Sequence, residues 1–184
     1  YWARKMIDNP KVKIKIFRTE DCYSGLTVGG HYEPDGREKD IEINIFFQKD
    51  CKEVFFDHVS VEVFIMELFT TYVHEKRHRY QYRTRGNVYG PIYRCENKAI
   101  DKEHYRELNY YGDPDEVDAY AFNVAIELTH SLPKRASIQS SNVYAVYREI
   151  FKKTDPVILR LEKLTNKYFN RLEKQYYETI RRVL

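Results

Sequence analysis

The chain has little cysteine, and what it has is dispersed. Its three cysteines are Cys22, Cys51 and Cys95, and none of them belongs to a C-x-x-C pair. This spacing argues against a disulfide framework and against a zinc site built from thiolates. It favours a reducing compartment, so we expect a cytoplasmic protein.

Long apolar runs and a strong charge imbalance are also missing. No stretch approaches the roughly 18 uninterrupted apolar residues of a membrane span, and the N-terminal end lacks the apolar core of a secretory signal. The net charge of +3 is too small to predict nucleic-acid binding without a binding motif. We therefore expect a soluble protein with no membrane partner, and nucleic acid ranks last among its partners.

The first part of the chain has the alternating pattern of strands. Residues 11–18 read K-V-K-I-K-I-F-R, which predicts a half-buried strand with a basic outer face. Residues 25–31 and 40–47 also alternate, and Pro34-Asp35-Gly36-Arg37 between them predicts the turn of a hairpin. We expect a small N-terminal antiparallel sheet.

The most informative motif is H-E-x-x-H at His74, Glu75 and His78. On a helix, positions i and i+4 lie on one face, so both imidazoles can reach one ion beside the intervening glutamate. The alternative is a charged, solvated helix face with two unrelated histidines. The apolar run over residues 61–73 favours a buried helix instead, and Gly86 is suitably placed to end it.

A second segment, Asp113 to Phe122, opens with a strong helix start. Asp113 is a suitable N-cap, Pro114 takes the first helical position, and Glu116 follows three residues after the cap. Zinc needs a further ligand, and Glu116 is the candidate, with a plain capping box as the alternative. Asp118 could hydrogen-bond a metal-binding histidine and so fix the orientation of its ring. Asp118 and His104 are the replacements if Glu116 is not a ligand.

Together these segments resemble gluzincin-type zinc metallopeptidases, in particular small ImmA/IrrE-type and phage-encoded ones, over residues 59–128. The resemblance implies an α+β fold in which a small sheet packs on a zincin-like active-site helix. It also implies that His74, His78 and Glu116 bind Zn²⁺ and that Glu75 is the general base. Lys76 and Arg77 depart from the family, whose residues there are usually uncharged.

Peptide hydrolysis by a zinc-activated water would also need a donor to the oxyanion. The segment between the two ligand helices offers four tyrosines as candidates: Tyr89, Tyr93, Tyr110 and Tyr111. Each is more often a packing residue whose hydroxyl is hydrogen-bonded. The expected substrate is a protein or peptide. The alternative is a catalytically inactive zincin-fold protein that binds a partner or forms part of a virion, and a phage-encoded chain would be in the host cytoplasm or the virion.

The C-terminal part is predicted to be helical. Residues 141–152 form one expected helix capped by Ser141, and Asp155-Pro156 opens another that runs to the C-terminus. The last helix has an apolar stripe that predicts packing on its own domain, with a partner protein as the alternative. We expect one domain over residues 1–184, with a β-rich part at 1–50, the metal-site helices and loop at 57–130, and the C-terminal helices at 141–184.

Overall fold

The computed structural model describes residues 12–20, 26–33, 41–50, 58–90, 93–94, 101–130 and 137–183. Its strands and helices, in chain order, are β1 (Val12–Thr19), β2 (Leu26–Tyr32), β3 (Ile41–Gln48), α1 (His58–Thr84), α2 (Lys102–Gly112), α3 (Pro114–His130), a short 3-10 helix (Ile138–Ser140), α4 (Asn142–Ile150) and α5 (Pro156–Val183). The predicted α+β class, with a mainly helical C-terminal half, is confirmed. None of the described helices is long and apolar enough to cross a membrane. Tyr1–Val88 forms one compact unit and Tyr89–Leu184 a second.

The three described strands form one sheet in the order β1-β3-β2. β2 and β3 pair antiparallel, with Tyr32 opposite Ile41, which confirms the predicted hairpin. Its predicted turn at residues 34–37 lies outside the described residues. β1 pairs with β3 in parallel, with Val12 also opposite Ile41, so the sheet is mixed and not wholly antiparallel as expected. Two strands can pair in parallel when the chain between them is long enough to return to the same end of the sheet. The alternating pattern of a strand does not show whether its neighbour is parallel or antiparallel.

β3 is the central strand, so its neighbours on both sides take its backbone hydrogen bonds. Its alternate residues Ile41, Ile43 and Ile45 are buried, as a central strand requires. The described edges of this sheet belong to β1 and β2.

The core of the first unit lies between the sheet and α1. Tyr32, Ile41 and Ile43 are buried, and Leu68 and Tyr72 of α1 pack against them. The prediction that the first strand would be half-buried is wrong, because Ile16 of β1 is 68% exposed. Alternation divides a strand into two faces, but it does not say which face another element will cover.

Helix α1 is exposed at its start and buried further on. Val61, Val63 and Ile65 are exposed, whereas His74 and Glu75 are buried, as predicted for a helix that is buried at its H-E-x-x-H motif. Its end matches the prediction: Gly86 has a φ of +70°, and its N–H donates to the Arg83 carbonyl at 3.1 Å. A left-handed glycine after the last turn is a usual helix C-terminus.

The second unit is built around α3 and α5, which pack against each other. Val117, Ala121 and Ala125 of α3 are fully buried, as are Ile158 and Leu161 of α5. Alanines at the contact let the two helix backbones approach closely. This packing confirms the expectation that the last helix is held by its own part of the chain, although Tyr176 and Tyr177 further along α5 are exposed.

The predicted helix starts of this unit are also confirmed. The Asp113 carboxylate accepts the Asp115 N–H at 2.8 Å, and the Ser141 hydroxyl accepts the Tyr144 N–H at 3.3 Å. The Asp155 carboxylate accepts the Val157 N–H at 2.8 Å. These side chains satisfy amide groups that have no partner within the first turn of a helix.

Candidate metal centre

The two histidines of the motif converge on one side of α1. Nε2 of His74 lies 3.0 Å from Nε2 of His78, and the rings meet at 80° with centroids 4.6 Å apart. Two nitrogens that each lie about 2.05 Å from a tetrahedral zinc ion are about 3.3 Å apart. The pair therefore presents two imidazole nitrogens at nearly the separation that zinc requires.

Glu75 is buried where strand β2 passes very close to helix α1. Glu75 is 7% exposed. A Cβ added to Gly30 of β2 would lie 2.7 Å from both Cγ and Oε1 of Glu75. The same Cβ would lie 2.7 Å from Cγ2 of Thr71, and side-chain carbons do not approach each other that closely. A Cβ at position 30 would therefore force Glu75 and Thr71, or the strand itself, to shift. This contact was not predicted from the sequence, although a glycine inside a strand often marks a close backbone approach.

Lys76 and Arg77 each lie against an aromatic ring of α1. Lys76 is two residues from each histidine and so lies about half a turn away from both. Its Nζ lies 5.7 Å from the centre of the Tyr72 ring, and the Arg77 guanidinium lies 5.2 Å from the centre of the Tyr80 ring. The two unusual cations are thus held by aromatic rings of α1.

Gln81 is a site residue that the sequence analysis missed. It is 6% exposed, and its Oε1 lies 3.0 Å from Nδ1 of His78. The signal was present in the sequence, because residues three apart on a helix lie on adjoining positions of one face. The first unit therefore contains two facing imidazoles, a buried carboxylate and a polar group behind one of the rings.

In the second unit, Glu116 lies in the first turn of α3, where the helix dipole favours a carboxylate. The Tyr110 hydroxyl hydrogen-bonds the Glu116 carboxylate and lies 3.4 Å from the Tyr120 hydroxyl. Burial of the hydroxyl, and then the charge of Glu116, hold the pKa of Tyr110 above its usual range. Tyr110, one of the oxyanion candidates, thus interacts with the predicted third ligand.

The two alternative ligands each have a partner within the second unit. The Tyr168 hydroxyl of α5 donates to the Asp118 carboxylate. Nδ1 of His104 lies 3.6 Å from a carboxylate oxygen of Glu107, one turn along the same helix.

The remaining oxyanion candidates have different surroundings. The ring of Tyr93 covers Gly112, so closely that a Cβ there would lie 2.4 Å from a ring carbon. Tyr111 packs edge-on against Tyr147, with ring centroids 5.4 Å apart. Tyr89 is 59% exposed. Tyr93 and Tyr111 are thus half-buried tyrosines that pack within the second unit, whereas the Tyr89 side chain is largely exposed.

Comparison with protein-family models, with curated proteins and with solved structures finds no match for this chain. The resemblance to gluzincin-type metallopeptidases over residues 59–128 therefore stays a prediction that rests on its motifs. The function has to be argued from the chemistry of the residues themselves.

Proposed function

We propose that this protein is a zinc-dependent peptidase that hydrolyses peptide bonds with Glu75 as general base. The observation that carries the proposal is the pair of Nε2 atoms of His74 and His78, 3.0 Å apart, with buried Glu75 between them on the same helix. The proposed ligands are these two nitrogens and, as the sequence resemblance implies, a carboxylate oxygen of Glu116. Two imidazoles and a glutamate are a ligand set that suits catalytic zinc.

Each of these residues would have a separate role in peptide hydrolysis. Zinc, when bound, would supply the positive charge that activates water near neutral pH and polarises a peptide carbonyl. The Glu75 carboxylate would take the proton from the attacking water and return it to the leaving amine. The Tyr110 hydroxyl would hold the Glu116 carboxylate in place. The substrate would be a protein or peptide, in the cytoplasmic location favoured by the dispersed cysteines.

The test compares hydrolysis of a peptide library by wild type, Glu75→Gln and Glu62→Gln. Glu62 is an exposed glutamate of the same helix and serves as the matched control. We expect Glu75→Gln to keep its zinc and lose hydrolysis by at least about 100-fold, the usual scale of general-base catalysis. Glu62→Gln should behave as wild type.

Two results would contradict the proposal. Equal hydrolysis by wild type and Glu75→Gln would remove Glu75 as the base. Zinc binding without any hydrolysis by wild type would favour the alternative, an inactive zincin-fold protein that binds a partner.

A further inference from the structure

The contact between Gln81 and His78 determines which nitrogen of His78 carries a proton. Oε1 of Gln81 is an amide carbonyl oxygen, and it lies 3.0 Å from Nδ1 of His78. A carbonyl oxygen can only accept a hydrogen bond, so Nδ1 must be the donor. A neutral imidazole has a single ring proton, and Nε2 of His78 therefore keeps its lone pair.

That lone pair faces the other histidine. Nε2 of His78 lies 3.0 Å from Nε2 of His74, and two lone pairs at this distance would repel each other. With this tautomer of His78, the two nitrogens can form a hydrogen bond only if Nε2–H of His74 is the donor. Ligation of one ion by both histidines needs a lone pair on each Nε2, so metal binding must move the His74 proton to Nδ1 or release it.

We propose that Gln81 is a positioning residue that fixes the tautomer and ring orientation of His78, so that Nε2 is its ligand atom. The inference rests on the proposed metal site. Metal-binding histidines commonly donate their second N–H to a carboxylate, a carbonyl or water. Gln81 supplies an amide carbonyl, and because it is 6% exposed, water competes little for the bond.

The first test measures zinc affinity by competition with a chelator. The proteins compared are the wild type, Gln81→Leu, Gln81→Glu and Gln48→Leu. Gln81→Leu removes the acceptor and should weaken zinc binding about 10- to 100-fold. Gln81→Glu keeps an acceptor for Nδ1–H and should bind zinc at least as tightly as wild type. Gln48 is exposed at the end of β3, so Gln48→Leu is the control and should bind as wild type. Equal affinity of wild type and Gln81→Leu would overturn the inference.

The second test needs no metal, and it separates this inference from the proposed function. Nitrogen-15 NMR of the metal-free wild type should show His78 protonated on Nδ1 and His74 on Nε2. His78 protonated mainly on Nε2 would overturn the role of Gln81, whether or not zinc binds and whether or not Gln81→Leu folds. A wild type that shows the expected tautomers but binds no zinc would instead refute the proposed function.

Discussion

Replacing Gly30 with alanine tests the close crossing of β2 over the proposed general base. The new Cβ would lie 2.7 Å from Cγ and Oε1 of Glu75 and from Cγ2 of Thr71. Carbon contacts are most favourable at about 3.5–4.0 Å, so strand and side chains must separate by about 1 Å. A misplacement of this size in a catalytic site costs on the order of 100-fold in rate. Overpacking also lowers the free energy of unfolding, typically by about 1–3 kcal/mol.

The neighbouring glycine provides a matched control. A Cβ at Gly29 would lie 3.4 Å from a ring carbon of Phe46, which is an ordinary contact. We therefore expect Gly30→Ala to have a kcat/KM about 100-fold below that of Gly29→Ala, and to unfold at a lower urea concentration. Its zinc content should be unchanged, because the three atoms nearest to the new methyl group belong to Glu75 and Thr71 and not to a histidine. Equal hydrolysis and equal urea midpoints for the two variants would refute the reasoning.

Three further predictions concern the second unit. Tyr110→Phe removes the hydroxyl that holds Glu116, and it should weaken zinc binding about 10- to 100-fold in a chelator competition; unchanged affinity would contradict this role. Burial raises the pKa of Glu127, so the free energy of unfolding falls as the pH rises through that pKa. Glu127→Gln should therefore raise the melting temperature at pH 7. It should not raise the melting temperature at a pH below the ordinary glutamate pKa of about 4.3. The same gain at both pH values would count against burial as the cause. Tyr144→Phe removes a 2.6 Å hydrogen bond to Glu162 and should lower the urea-derived free energy of unfolding by about 2 kcal/mol, whereas no change would show that the bond adds nothing.

Local signals in the sequence were enough to predict several elements. Asp113-Pro114 placed the start of α3, and Gly86 placed the end of α1, because capping depends on residues within one turn. The hairpin of β2 and β3 was predicted from two alternating runs separated by a turn sequence. In each case the interacting groups are close along the chain, so their energetics are visible in a short window.

Contacts between distant segments could not be predicted in the same way. The parallel pairing of β1 with β3 depends on which strands reach each other after folding. The exposure of Val61 and Ile65 depends on how far the sheet covers α1. Gly30 against Glu75 and Tyr168 against Asp118 likewise join segments whose sequences carry no mark of their partner. Gln81 differs, because its distance of three residues from His78 was readable.

The central claim is that His74, His78 and Glu116 bind a single zinc ion. Elemental analysis of the purified wild type, His74→Ala, His78→Ala and Glu116→Ala, each loaded with zinc and dialysed, tests it most directly. The wild type should retain about one zinc ion per chain, both histidine variants should retain none, and Glu116→Ala should lose zinc to a chelator more readily than wild type. Absence of zinc from the wild type, or equal zinc in the wild type and the two histidine variants, would contradict the claim.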